Sequence, residues 1–250
     1  MVGKATYVDD IRLPDTLHLA FVRSTRAHAK ITRIDVDAAR QARGVRGIFI
    51  GADIAKALKP IGKPYSDKVL SPSVCHQPKW PCLAINKVRY VGESIVAILA
   101  ESRYLAEDAA ELVDIEYEEL PVITDAEEAL KPGAPLIHEE FDSNMMVHVT
   151  GGGGDVDTAF RDAALVVHER FHTNRHMGCA LEGRATLAKV DADGDITLWS
   201  SNEMPHMLRT RVADIMGFPE QKLRVIALDV NGGFGPKAFV YPEDVDLLLR

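Results

Sequence analysis

Short runs of apolar residues, several with polar residues at alternate positions, predict strands in the first half of the chain. Strands are expected at 17–22, 31–36 and 45–50, and the apolar run 94–100 predicts a buried strand. At 113–119 apolar residues alternate with acidic ones, which predicts a strand with one face toward water. These strands favour a sheet-containing fold.

A helix is expected between the last two of these strands. Ser102 is a candidate N-cap, and Leu105, Ala109 and Leu112 form one apolar face at helical spacing. The order strand, helix, strand is typical of an α/β unit packed on one sheet.

The second half of the chain alternates between helical and extended patterns. The predicted elements are a helix capped by Asp155, a strand at Leu165–Phe171, a hairpin around Asp193–Gly194, a helix ending at Gly217, a strand at Leu223–Val230 and a helix beginning at Pro242. The last helix has no closing signal before Arg250, so we expect the chain to be the N-terminal part of something longer. The polar stretch 126–154 ends in four glycines and is expected to be a linker between domains at 1–125 and 155–250.

Composition and net charge disfavour several classes of function. Of 250 residues, 46% are hydrophobic and 26% charged, and 29 basic against 37 acidic side chains give a net charge of -8. A globular chain is expected, and the anionic balance disfavours a nucleic-acid partner. No apolar run approaches the ~20 residues that cross a bilayer, so no membrane partner is expected. Three cysteines favour a reducing, cytoplasmic location.

The glycine-rich segment Gly232–Lys237 (GGFGPK) is the most conspicuous candidate site. Glycine permits positive φ and a close approach of backbone amides to a ligand, so an anionic or oxo ligand could bind here. The segment matches neither the phosphate-binding P-loop, since Ala238 follows Lys237, nor the dinucleotide fingerprint, which needs a third glycine at position 238. A plain tight turn is the alternative.

Other constellations have simpler explanations. His168, His172 and His176 would share a helix face, but the predicted strand places residues four apart about 13 Å from each other, too far to share a metal ion. Glu182 and Arg184 are interpreted as a buried ion pair or a ligand clamp. No serine lies in a G-x-S-x-G elbow, so serine hydrolase chemistry has no support.

Several segments together resemble the large, molybdenum-binding subunit of the xanthine dehydrogenase / aldehyde oxidase / carbon monoxide dehydrogenase family. The segments 3–11, 22–29 and 88–93 resemble the family's α/β hammerhead domain. Those resembling its molybdopterin-binding domain are 154–157, 181–184, 199–206 and 232–243. The resemblance implies a mixed α/β (α+β) fold in which a hammerhead domain precedes the first part of a molybdopterin-binding domain.

The resemblance also implies an activity and its cofactors. Such enzymes use molybdenum on a molybdopterin, often in the cytosine dinucleotide form, to oxidise an aldehyde or an N-heterocyclic carbon with oxygen derived from water. Electrons leave through iron-sulfur centres and FAD, usually on separate subunits. The implied partners are the remainder of the large subunit, an iron-sulfur subunit, an FAD subunit and a small-molecule substrate.

The family's site maps onto this chain residue by residue. The residues expected to bind the cofactor are Glu203, Gly232, Gly233, Phe234 and Gly235, those expected to line the substrate channel are Phe234 and Ala238, and none is a direct metal ligand.

Three departures from the family pattern bear on activity. The family's general-base glutamate is expected beyond Arg250. The family's glutamine that faces the oxo ligand of the metal is replaced by Glu203, whose carboxylate can donate a hydrogen bond only when it is protonated. Purine-acting members carry a glutamate at the position of Ala238, which argues against a xanthine-like substrate.

Two alternatives remain at this stage. The chain could be a non-catalytic or split-gene relative that acts as an assembly module, which Glu203 and the absent base would explain. It could also be an unrelated anion-binding α/β protein.

Overall fold

The computed structural model describes residues 3–62, 74–246 and 248. The strands in these residues are β1 (His18–Arg23), β2 (Ala29–Asp35), β3 (Val45–Ile50), β4 (Val74–Cys75), β5 (Lys87–Val88), β6 (Ser94–Ala100), β7 (Asp114–Glu119), β8 (Val147–His148), β9 (Thr186–Val190), β10 (Ile196–Ser200) and β11 (Leu223–Ala227). The helices are α1 (Asp37–Arg40), α2 (Gly51–Ile54), α3 (Arg103–Ala110), α4 (Ala126–Ala129), α5 (Val156–Asp162), α6 (Pro205–Met216) and α7 (Pro242–Asp246). This content confirms the mixed α/β fold class. None of the described helices has the length and apolar character needed to cross a bilayer.

Two antiparallel three-stranded sheets form the first half of the chain. In one, β6 lies between β1 and β3; in the other, β2 lies between β5 and β7. The predicted α/β unit on one sheet is therefore wrong, since β6 and β7 belong to different sheets. Both edges of β6 are already paired, so β7 finds its backbone partners on β2 instead.

Helix α3 begins as predicted, and it buries part of the predicted apolar face. The Ser102 hydroxyl accepts a hydrogen bond from the Leu105 amide at 3.3 Å, as an N-cap does. The buried residues are Ala106 and Ala109, whereas Leu112 lies beyond the helix and is 48% exposed. Small side chains let the helix approach β1 and β6 closely.

The second half contains a β-α-β unit with an added hairpin strand. β9 and β10 form the predicted antiparallel hairpin, and β11 pairs parallel to β10 after the crossover through α6. α6 buries Leu208, Val212 and Ile215 and ends at Gly217, which adopts a left-handed φ of 61°. Since β10 and β11 are parallel, the segments that follow them emerge at the same edge of the sheet.

Two strands of the second half differ from the sequence prediction. The strand expected at Leu165–Phe171 is wrong: the backbone is irregular and the side chains are exposed, Leu165 by 80% and Phe171 by 90%. No neighbouring strand among the described residues pairs with it, and an extended segment needs such a partner to satisfy its backbone. β11 ends at Ala227, three residues early. The final helix begins at Pro242, and residues 247, 249 and 250 lie outside the described residues.

The segment 126–154 carries structure of its own. It contains α4 and β8, and β8 pairs with β4. The Asn144 side chain accepts from the Ile137 amide and donates to the carbonyls of Ala129 and Pro135, which fixes the path of the chain between these elements.

One apolar core joins the two halves of the chain. Its members from the first half include Ile54, Leu83 and Ala97, and its members from the second half include Leu198 and Leu208. Because these side chains pack in one cluster, the glycine-rich segment of the second half is held against a scaffold that includes the first half.

Candidate functional site

The glycine-rich segment forms a turn directly after β11. Gly232 and Gly235 have φ values of 81° and 93°, which favour glycine, and Phe234 has a φ of 50°, an uncommon value for a bulky residue. Ala238 closes the turn by donating its amide to the Gly235 carbonyl at 3.0 Å. A strained aromatic residue inside such a turn is typical of a functional position.

The open side of this glycine turn presents unpaired backbone donors. Among the described residues, no protein acceptor receives a hydrogen bond from the amides of Gly233, Phe234 or Gly235. The Phe234 side chain is 73% exposed, and Gly235 is exposed as well. Successive backbone amides without a protein acceptor suit an anionic group.

Glu203 lies against this turn. It follows β10, its amide donates to the Lys237 carbonyl at 2.9 Å, and its side chain is exposed. A Cβ atom added to Gly233 would lie 1.8 Å from the Glu203 Oε1 atom, so the carboxylate covers the Cα of Gly233. The parallel pairing of β10 and β11 brings these two residues together across 30 positions of sequence.

The contact between Glu203 and Gly233 has opposite effects on a bound anion. The unpaired amides suit an anionic cofactor, whereas an ionised carboxylate beside them repels one. Glu203 can face an oxo group as a donor only when it is protonated; otherwise it has to rotate away. Its exposed position leaves room for that rotation.

Phe234 and its neighbours form the wall beside the turn. An added Cβ at Gly232 would lie 2.7 Å from the Phe234 ring, and one at Gly178 would lie 2.9 Å from the Phe234 Cβ. Both glycines therefore allow close approach, and the Phe234 ring packs over the backbone of Gly232. Ala238, the other residue expected along a substrate channel, is half-buried.

Below the turn lies an ion pair. Lys237 donates from Nζ to the Glu182 Oε2 atom at 2.7 Å, and the side chains are only 2% and 13% exposed. The interpretation that Glu182 pairs with Arg184 is wrong, because the chain bends at 181–182 and Glu182 pairs with Lys237, whereas Arg184 lies beside Glu243. Arg184 instead stacks on the Tyr241 ring at 3.6 Å.

A second charged cluster connects the turn region to the first half of the chain. Glu243 accepts from Arg23 at 2.5 Å and lies 3.7 Å from Arg184. Burial opposes ionisation of Glu243, but the hydrogen bond from Arg23 and the charge of Arg184 outweigh it, so the pKa of Glu243 is lowered. The cluster fixes the start of α7 relative to β1.

The three histidines do not converge on the turn. His168, His172 and His176 are all exposed in the irregular segment that follows α5. Within the described ranges, no three histidine, cysteine or acidic side chains are arranged to hold a metal ion.

A separate cavity of about 270 Å³ lies beside α4. The described residues that line it include His138 and His76, whose ring stacks on Phe141 at a centroid distance of 4.5 Å. Burial lowers the pKa of His138. None of these lining residues belongs to the glycine turn, so the cavity is not part of the candidate site.

Sequence reasoning found the turn and Glu203 but missed the supporting contacts. The packing of Gly178 under Phe234 and the pairing of Glu182 with Lys237 both join residues more than 50 positions apart. Glu182, Phe234 and Lys237 stood in conspicuous motifs and Gly178 did not, and no spacing rule within one chain indicates such pairs.

Comparison with protein-family models gives two matches. Residues 2–121 match the a/b hammerhead domain of aldehyde oxidase and xanthine dehydrogenase, and residues 137–249 match the molybdopterin cofactor-binding domain.

Individual proteins are similar along nearly the whole chain. The nicotine 6-hydroxylase large subunit of Paenarthrobacter nicotinovorans is 38% identical over 246 residues, which cover 98% of this chain and 29% of that protein. The carbon monoxide dehydrogenase large chain of Hydrogenophaga pseudoflava is 35% identical over 254 residues, covering 96% of this chain and 30% of that protein. The crystal structure of quinoline 2-oxidoreductase from Pseudomonas putida 86 superposes with a TM-score of 0.89 at 34% identity, covering 97% of this chain and 30% of that one. The chain thus spans about 30% of the length of these relatives.

Proposed function

Because the chain belongs to the xanthine dehydrogenase / aldehyde oxidase / carbon monoxide dehydrogenase family of molybdopterin-binding large subunits, we propose that it forms the N-terminal part of the catalytic subunit of a molybdenum hydroxylase. The proposed substrate is an aldehyde or an N-heterocycle, oxidised at carbon with oxygen derived from water. The observation that carries the proposal is the glycine turn, whose amides without a protein acceptor lie within the segment matched by the cofactor-binding model.

The residues of the turn suit the cofactor in most respects. The amides of Gly233, Phe234 and Gly235 would hold anionic oxygens, and Gly232 allows the ring of Phe234 to pack close by. When bound, a molybdenum–molybdopterin group supplies two-electron redox chemistry that protein side chains lack. The exposed Phe234 ring would form one wall of the substrate channel and exclude water from it, with Ala238 behind it.

Partners and location follow from the same proposal. The cofactor is proposed in its cytosine dinucleotide form, with electrons passing to iron-sulfur and FAD centres on partner subunits, and with the general base on the remainder of the large subunit. A cytoplasmic location and the division into domains at 1–125 and 155–250 are part of the proposal. The relatives are named as hydroxylases and dehydrogenases, which favours catalysis over an assembly module.

Metal and pterin analysis tests the proposal. The complete reading frame is expressed with its partner subunits in a host that makes molybdopterin, and the purified complex is expected to contain molybdenum and pterin in equal amounts. The same complex from a host that lacks pterin synthesis is the control. A folded complex without molybdenum and pterin from the competent host would overturn the proposed function.

A Glu203→Gln exchange is expected to preserve or raise both metal content and turnover. The amide is uncharged and can donate a hydrogen bond, so it removes the repulsion of an anionic group beside Gly233. Molybdenum content and steady-state turnover measure the effect in the complete complex. Asp214→Asn, at an exposed residue that pairs with Lys59, serves as the control for loss of one negative charge. A clear loss of metal with Glu203→Gln alone would show that the carboxylate itself is needed.

A further inference from the structure

The ion pair below the glycine turn connects the two ends of that turn. The Glu182 Oε2 atom accepts the Asn231 amide at 3.0 Å and the Lys237 ammonium at 2.7 Å. Asn231 lies immediately before the glycines and Lys237 ends the segment. A single carboxylate oxygen therefore sets the separation between the beginning and the end of the turn.

The lysine cannot serve the open face of the turn in this arrangement. Its side chain is 2% exposed and its ammonium group donates to the Glu182 Oε2 atom. In phosphate-binding loops that end in lysine, the ammonium group reaches the ligand directly. Here the ammonium group of Lys237 pairs with Glu182 inside the protein, and the donors left for a ligand are the backbone amides of the turn.

The segment that carries Glu182 is also shaped to the turn. At alternate positions, Gly178 lies under Phe234 and Pro236, and Ala180 lies against Gly232. The third of these alternate positions is Glu182 itself. Gly178, Ala180 and Glu182 therefore all lie against the turn, and the Glu182 carboxylate is the polar member of this row.

Stability alone does not explain an ion pair in this place. Burying two charges costs several kcal/mol per ion, and a well-packed apolar pair of similar volume is often as stable or more stable. The Glu182 Oε1 atom is buried and has no hydrogen-bond partner among the described residues, which adds to the cost. What the charged pair provides, and an apolar pair does not, is a directional tether between residues 231 and 237.

We propose that Glu182 and Lys237 are positioning residues that hold the glycine turn in the shape that retains the cofactor. The inference rests on the proposed function, because it assumes that the turn binds the molybdenum–molybdopterin group. It assigns to the pair no contact with that group. Their action is on the backbone amides of the turn.

The test separates positioning from stability in the complete complex. Glu182→Met and Lys237→Met are prepared singly and together, and each complex is measured for molybdenum and pterin content, thermal midpoint and the electron paramagnetic resonance spectrum of its molybdenum. Each single variant leaves a buried charge unpaired and is expected to lower both stability and metal content. The double variant is expected to regain the wild-type thermal midpoint while its metal content stays at least about ten-fold lower, with an altered spectrum of the residual metal.

A buried glutamate in the other half of the chain provides the matched control. Glu93 is 9% exposed, lies directly before β6 and accepts the Arg89 amide at 2.6 Å. Glu93→Met is expected to lower the thermal midpoint without loss of molybdenum from the complex that stays folded.

Each other outcome decides against the inference. If the double variant regains stability and metal together, the pair is only structural. If the double variant does not fold, the charges are needed for stability, and a positioning role distinct from stability is wrong. A wild-type complex without molybdenum would overturn the proposed function and this inference together, whereas a loaded wild type with loaded variants would overturn this inference alone.

Discussion

Replacing Gly51 by alanine is expected to lower the free energy of unfolding by about 3 kcal/mol. A Cβ atom at this position would lie 2.3 Å from the Ala84 carbonyl oxygen and 2.8 Å from the Leu83 carbonyl oxygen. Both are backbone atoms and cannot rotate away as a side chain can. Gly51 is buried at the start of α2, directly after β3, so relief of the clash would have to displace α2 or the segment around Leu83.

Urea unfolding followed by circular dichroism measures this effect. Gly151→Ala is the control, since an added Cβ there meets no atom within 4 Å and the backbone does not have a positive φ. Its unfolding free energy is expected to stay within about 0.5 kcal/mol of the wild type. An unchanged urea midpoint for Gly51→Ala would contradict the close approach of the two backbone segments.

Replacing Asp246 by asparagine is expected to stabilise the protein, increasingly so as the pH rises. Burial raises the pKa of Asp246 from 3.8 to about 7, and the charge of Glu243 adds to the increase. The side chain is 2% exposed, and neither of its oxygens has a hydrogen-bond partner among the described residues. It lies near the buried Cys82, whose thiol pKa burial and Asp246 together raise to about 12.

The pH dependence follows from this raised pKa. Below pH 4 the Asp246 carboxyl is protonated in both the folded and the unfolded state, so its ionisation does not affect stability. Between pH 4 and 7 the carboxyl ionises in the unfolded chain but stays protonated in the folded one, so stability is lost as the pH rises. Above pH 7 the loss reaches its full size, about 4 kcal/mol for a shift of this order. Asparagine carries no charge and avoids the loss.

Urea unfolding at pH 5 and pH 8 tests this prediction. The difference between Asp246→Asn and the wild type is expected to grow from the lower to the higher pH, while Asp214→Asn, at an exposed carboxylate, is expected to show little change. If Asp246→Asn shifts the unfolding curve equally at both pH values, the prediction is wrong. That result would show that the native Asp246 carboxyl accepts a hydrogen bond from a donor group.

Local signals in the sequence predicted most of the helices and strands. The hairpin of β9 and β10, the end of α6 at Gly217 and the cap of α3 at Ser102 are all confirmed, because each depends on a few consecutive residues. The strand at Leu165–Phe171 was wrong for the opposite reason. Its apolar start, 165–167, is real, but extended structure also requires a neighbouring backbone, which no local pattern can supply.

The roles proposed for Glu203 and the glycine turn stay predictions, and the structure adds the contacts on which they depend. Residue order alone identified the turn as a place where backbone amides could meet a ligand. It paired Glu182 with the wrong partner, because Arg184 lies two residues away in the sequence whereas the actual partner, Lys237, lies 55 positions away. The tertiary fold decided that pairing by bringing the segment 178–182 under the turn.

What the amino-acid sequence determined by itself is the family, most of the helices and strands, and the glycines that let the turn form. What only the tertiary structure decided is the assembly of the site: parallel pairing of β10 with β11 places Glu203 beside Gly233, and a shared apolar core sets both against the first half of the chain. The physical reason is that propensity, capping and turn geometry act over a few residues. Burial and ion pairing act between residues that the completed fold brings together.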